Sequence, residues 1–250
     1  MPITTREVTS IASFVRALSL DKKDNGEIFW FRGQSEAEWP LLPGYLRLKS
    51  APPEATLLNQ FRQSAAMLAE FTPQESFDWL MLMQHYGVPT RLLDWSESPM
   101  IALYFALANR DNHKGKDAAL WLLKPSTMNR NANIDDENDR NYIPSFLDEE
   151  PKAYTIEYLK NAPKSQLFPI AAIAVRNNTR IQAQSGVFTI HHLKNNPIEE
   201  IGDRSHVIKY IIPHERKDIL ANQLEILGLS KFHVFPELST IGGMIKDRYK

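Results

Sequence analysis

The stretch MQHYGVPTRLLDWSESPMIALYFAL, residues 83–107, constrains the chain more than any other part of it. Just upstream, Phe77, Leu80, Met81 and Gln84 recur at three- and four-residue steps, which predicts a helix over Glu75–Tyr86. Gly87 then ends that helix in the left-handed conformation of a glycine cap. Pro89 fixes the geometry of the next turn, Leu92 and Leu93 anchor it to a core, and Arg91–Asp94 reads as a short strand or turn. Ser98–Pro99 starts the following helix, Met100–Ala108. Within this run Gln84, His85, Tyr86, Thr90, Arg91, Asp94 and Ser96 crowd hydrogen-bonding groups into a short connector. A plain linker would carry Gly, Ser, Lys and Glu. The segment therefore reads as a site or the wall of one, with a buried structural polar network as the alternative.

The flanking sequence sets the fold class. Ile11, Phe14, Val15 and Leu18 share one face of a helix over Val8–Leu20, and a charged turn ends it at Gly26. EIFWFR, Glu27–Arg32, is β-branched and aromatic enough to be a buried strand. A helix over Glu54–Phe71 follows Pro52–Pro53, and Ala118–Leu123 is a second clear strand. From Ser126 to Lys164 the periodicity fails and acidic residues accumulate, so this part reads as an irregular insertion with one helix near Ala153–Asn161. Strands resume at Ile170–Val175, Val187–His191 and Val207–Ile212, then a helix over Glu215–Leu227, a short strand near His233–Phe235 and a terminal helix. Helices early and strands late give an α+β chain with a mixed, mainly antiparallel sheet, whole or split, and helices packed on it. Residues 1–26 form an N-terminal helix and turn, and 27–250 one domain carrying the insertion at 126–164.

Composition removes several classes of chemistry. There is no cysteine among the 250 residues, which excludes disulfide frameworks, thiolate metal sites and cysteine nucleophiles. A formal net charge of −1 argues against a non-specific nucleic-acid binder, and Arg204, Lys209, Arg216 and Lys217 read as a solvated face. The opening MPITTREVTSIASFVRALSL lacks a continuous apolar core, so it reads as neither a secretory signal nor a membrane anchor. A cytoplasmic protein without a membrane partner is the expectation. Late histidines 191, 192, 206, 214 and 233 show no i, i+4 pair, and His191 and His192 on one strand would face opposite ways, so no metal is expected. GxxxxGK[ST], GxGxxG and GxSxG are absent.

Two further segments carry candidate residues. Arg32–Gly33–Gln34 closes the FWF strand, where a guanidinium fork can grip a phosphate or carboxylate and Gly33 admits a ligand or another strand close to the backbone. The alternative is a structural pairing of Arg32 with Asp94. Gln182 and Gln184 precede a late strand at Gly186, where an amide can orient a substrate but makes a poor base.

FWFRGQ, WPLLPGYLR, MQHYGVPTRLLDWSESPMIALYFAL, RIQAQSGVFTI and FHVFPEL together resemble the FRG domain, named for its Phe/Tyr-Arg-Gly tripeptide. The resemblance spans about residues 28–246. It implies a setting in bacterial or phage proteins, compatible with toxin or phage-defence systems, and assigns no reaction. A remoter similarity is to the Arg–Ser–Glu layout of ADP-ribosyltransferases. It implies that Arg32 holds an NAD phosphate, that Ser96 supports the cleft, and that Gln184 stands at the glutamate position. A neutral amide cannot stabilise a developing cation. Either Asp94 or Glu237 takes that role, or the site binds without turnover. Three readings stay open. In the first, an NAD- or nucleotide-processing enzyme uses Asp94, His85 and Gln184 catalytically. Arg32, Gly33, Gln34, Tyr86, Thr90, Arg91, Trp95 and Ser96 then bind the ligand. In the second, a non-catalytic domain recognises a nucleotide or a protein segment. In the third, Arg32 and Asp94 form a structural network.

Overall fold

A computed structural model describes residues 1–22, 26–65, 67–68, 73–161, 167–174 and 178–249. In chain order these form β1 (Thr4–Glu7), α1 (Ile11–Asp21), β2 (Trp30–Gln34), α2 (Glu54–Ala65), α3 (Ser76–His85), β3 (Leu92–Ser96) and α4 (Pro99–Leu107). There follow β4 (Ala118–Leu123), α5 (Pro125–Asn131), α6 (Ile156–Asn161), β5 (Ile170–Ala172), α7 (Thr179–Ala183) and β6 (Gly186–Ile190). The chain closes with β7 (Val207–Ile212), α8 (Lys217–Ile226), α9 (Lys231–Val234) and α10 (Leu238–Asp247). The seven strands make one mixed sheet in the order β1-β7-β4-β2-β3-β6-β5. Only β1 and β7 pair parallel, so the sheet is mainly antiparallel and the chain is α+β.

Alternation along the strands decides what each face meets. Ser96 lies opposite Phe31, so Leu92, Asp94 and Ser96 share a face with Phe31 and Gly33. That face carries two helical cores. Around Phe31, Leu120 and Tyr210 pack α1, α4 and α8, and around Leu92, Phe188 and Ile190 pack α2 and α3. Leu93, Trp95, Trp30 and Trp121 turn to the other face, which Met128 of α5, Leu41 and Ile198 cover. Each core side chain of this size buried from water contributes about 1.5–3 kcal/mol.

The joint between β2 and β3 is the weak place in the sheet. The pair Phe31↔Ser96 is the one register position they share, whereas β3 and β6 pair over Leu92–Ser96 in full. Past that rung the two strands part, and the two helical cores part above them. Gly33 is required here for close packing: a Cβ on it would lie 1.9 Å from the Ala102 carbonyl and 2.4 Å from the Ala106 nitrogen. The close approach that its glycine permits is thus that of helix α4, not of a ligand.

Several expectations are corrected. The segment His233–Phe235, expected as a strand, lies in and just beyond the helical turn α9, because Ser230 and His233 form a reciprocal cap that closes it. Residues 4–7, ahead of the expected helix over Val8–Leu20, form an edge strand on β7, which the expected N-terminal helix and turn did not include. The expected irregular insertion opens with helix α5, where Asn129 donates to the Ala171 carbonyl and accepts from its N–H, imitating a strand neighbour for β5. Lys209 and Lys217 are not a solvated face. Lys217 is buried and donates to the Ser35 carbonyl at 2.8 Å, and Lys209 donates to that of Ala37 at 2.7 Å. His191 and His192 lie past the end of β6, and both are buried. The expected continuation of α2 to Phe71, that of β5 to Val175, and Lys164 at the end of the insertion fall outside the described residues. No helix among the described residues is long and apolar enough to cross a membrane.

Candidate functional site

Where β2 and β3 diverge, a cavity of about 310 Å³ opens in the gap between them, lined by residues from both faces of the sheet. Its floor is β3 and β6, with Asp94, Ser96, Gly186 and Phe188, and its walls come from α3, α4 and α7. The loop after β2 completes it with Ser35 and Trp39, held in place by the two lysine contacts just described.

Arg32 lies at the base. Its Nη1 donates to the backbone carbonyl of Asp94 at 2.6 Å, bridging the gap between the diverging strands. Its Nε is buried and meets no hydrogen-bond partner among the described residues. Burial pushes the guanidinium down to about 10, with Arg47 acting the same way and Asp94 opposing, so it remains a cation at neutral pH. An orphaned buried N–H of this kind needs an explanation, and an anionic ligand supplies one. Arg47 and Arg180 also line the cavity, and Asp94 is its one carboxylate among the described residues. The alternative reading, a structural pairing of Arg32 with Asp94, takes the form of a bond to the Asp94 backbone rather than to its carboxylate.

The Asp94 carboxylate has another partner. Gln84 Nε2 donates to its Oδ1 at 2.6 Å, and the Gln84 Oε1 accepts from the Thr90 hydroxyl. His85 lines the wall, where burial and then Arg180 lower its pKa, against a raising contribution from Glu237. Its imidazole is neutral at pH 7. Ser96 Oγ donates to the Gln184 carbonyl at 2.6 Å and accepts from Ser98 N–H at 3.0 Å, tying β3, the start of α4 and the end of α7 together. Gln184 lines the cavity, but its amide donates to the Val234 carbonyl at 3.1 Å. Arg180 lies with its guanidinium 4.8 Å from the Phe235 ring.

Of the residues expected from sequence, Arg32, Gly33, Gln34, His85, Asp94, Ser96 and Gln184 come together at this cavity. Gln34 does so as a buried brace, accepting from Trp121 Nε1 at 2.9 Å. Trp95 contributes to the wall, but its indole turns to the opposite face and donates to Thr189 Oγ1 at 3.0 Å. Three expected ligand contacts are absent from the lining. Tyr86 is 68% exposed and packs near Phe61, Thr90 is buried behind Gln84, and Arg91 is a buried anchor. Arg91 N–H and Nε donate to the two oxygens of Glu54, Nη1 to the His191 carbonyl and Nη2 to that of Tyr154. Glu237 also lies outside the lining.

Sequence reasoning missed Arg47, Trp39, Phe105 and Asn109 as cavity residues. The signal for two of them was WPLLPGYLR, whose prolines and glycine fix a loop between Trp39 and Arg47. Asp117, His214 and Glu215 bring potential metal ligands within 4.8 Å of one another on exposed surface, but none of them lines the cavity.

Residues 27–115 match the family model of the FRG domain. The matched segment supplies β2, α3, β3 and α4, the part of the chain that carries Arg32, His85, Asp94 and Ser96. The chain is an FRG domain-containing protein. No curated protein and no solved structure matches it.

Proposed function

We propose that the cleft binds NAD through its phosphates and that the chain cleaves the N-glycosidic bond of this nucleotide. One observation carries the reading: among the described residues three arginines and one carboxylate line one cavity, and Arg32 keeps a buried Nε–H without a partner there. Guanidinium forks suit a diphosphate, and Trp39 and Phe105 offer flat walls for a base. In the reaction the bond between ribose C1′ and the nicotinamide nitrogen breaks, and its electron pair leaves with nicotinamide. Asp94 opposes the positive charge that develops at C1′. Water, or an acceptor nucleophile in the transfer version, then attacks C1′, and its proton passes to the neutral imidazole of His85. The remote similarity to ADP-ribosyltransferases supports this, since Arg32, Ser96 and Gln184 lie on or beside the adjacent strands β2, β3 and β6. With Gln184 uncharged, the electrostatic role falls to Asp94. Loss of NAD harms a cell, which accords with the toxin or phage-defence setting the family implies.

Purified protein incubated with NAD is expected to release nicotinamide. Asp94→Asn is expected to abolish release while NAD still raises the melting temperature. Arg47→Ala, at an exposed side chain, is expected to diminish that rise without lowering the melting temperature of the free protein. Neither release nor a thermal shift with NAD or ADP-ribose would overturn the reading. A second reading, binding without turnover, is favoured by the engagement of Gln184 with Val234. A thermal shift without nicotinamide release would select it, and would leave a nucleotide sensor or a protein-recognition module in the same systems.

A further inference from the structure

We infer that Thr90 and Gln84 are positioning residues that fix how Asp94 presents its carboxylate to the cleft; this rests on the reading that Asp94 acts there. The argument is one of donors and acceptors. An ionised carboxylate only accepts, so Gln84 must turn its NH₂ toward Asp94, as it does with Nε2 at 2.6 Å from Oδ1. Its carbonyl oxygen then faces Thr90 and needs a donor. Thr90 can supply one because the Leu92 N–H, at 3.2 Å, already occupies a lone pair of Oγ1, leaving the hydroxyl proton to point at Gln84.

The start of this chain is rigid. Thr90 is buried, its carbonyl accepts from Tyr45 N–H at 3.1 Å, and the next residue is Arg91 on its Glu54 anchor. Direction therefore passes from a fixed backbone to hydroxyl, from hydroxyl to amide and from amide to carboxylate. With Oδ1 engaged, approach to a ligand falls to Oδ2. A primary amide has nearly the same shape after a half-turn, so without the Thr90 proton nothing holds the Gln84 NH₂ toward Asp94. The half-turned state sets two acceptors against each other and swings the carboxylate away.

Thr90→Val keeps the branched shape and removes the donor, whereas Thr90→Ser keeps the donor. For nicotinamide release from NAD, Thr90→Val is expected to lower kcat by roughly tenfold or more with KM changed by less than about threefold. Thr90→Ser is expected to stay within about threefold of the wild type in both. Equal kcat in the two variants overturns the inference and leaves the NAD reading standing. The side-chain NH₂ signals of Gln84 in ¹⁵N-edited NMR report the same chain without any ligand. They are expected to move in Thr90→Val and in Asp94→Ala but not in Thr90→Ser. If those signals respond as expected but the wild type releases no nicotinamide, the NAD reading fails and the orienting chain stands. If they do not respond, the chain itself is refuted.

Discussion

Arg91 and Arg32 are both arginines beside apolar strand residues, and their surroundings give them opposite tasks. Every nitrogen of the Arg91 fork donates to an oxygen of the protein, and its ion pair with Glu54 is out of reach of water. Removing one partner of such a pair strands the other charge. Arg91→Ala is therefore expected to cost about 3–5 kcal/mol, read as a lower urea midpoint. Arg32 has a buried donor left over among the described residues. The sequence shows this difference poorly, because Glu54 lies 37 residues upstream and nothing local marks it as the partner. For the same reason Thr90 and Arg91 read as ligand contacts. The run of polar residues was visible, but whether each turns toward the cavity or behind it depends on strand alternation and on distant acceptors. Asp94, at the centre of its strand between buried neighbours, was the residue whose direction a period of two could give.

Elements were legible in proportion to how completely they are buried. Ala118–Leu123 and Val207–Ile212 have the bounds expected from their apolar runs, since both lie inside the sheet. β1, a polar TTRE edge, offers no apolar pattern, and α7 is a single capped turn beneath the same limit. The C-terminal elements matter to the cleft through two contacts. Val234 accepts from Gln184, and Phe235 packs on Arg180 and edge-on to Phe105 at 5.9 Å. Phe235 thus joins α4 to α7 at the cavity wall, while α10 beyond it is largely exposed. A chain ending at Leu229 is expected to keep its sheet, with unchanged far-ultraviolet strand signal, and to lose most of the thermal shift given by NAD. An undiminished shift would show that the α9 segment has no part in shaping the site.

At the scale of the molecule, acid is expected to loosen the region after β6. Burial holds His191 down to about 3 and His192 to about 4, and it lowers His206 as well. The unfolded chain binds these protons near the ordinary histidine value of about 6.5. Stability contributed by the neutral rings is therefore complete above that pH and declines as pH falls through 6 toward 4. Melting temperatures measured between pH 7.5 and 4.5 are expected to fall accordingly, and His192→Phe is expected to flatten the slope. The single rung between Phe31 and Ser96 has a different consequence. It divides the sheet into a four-strand block, β1-β7-β4-β2, and a three-strand block, β3-β6-β5, tied to each other by that rung and by the Arg32 bond to the Asp94 carbonyl. Arg32 belongs to the first block, and Asp94, together with the turn that carries Arg180, to the second. A molecule that gripped both would act as a further staple across the seam, beside that rung and that bond.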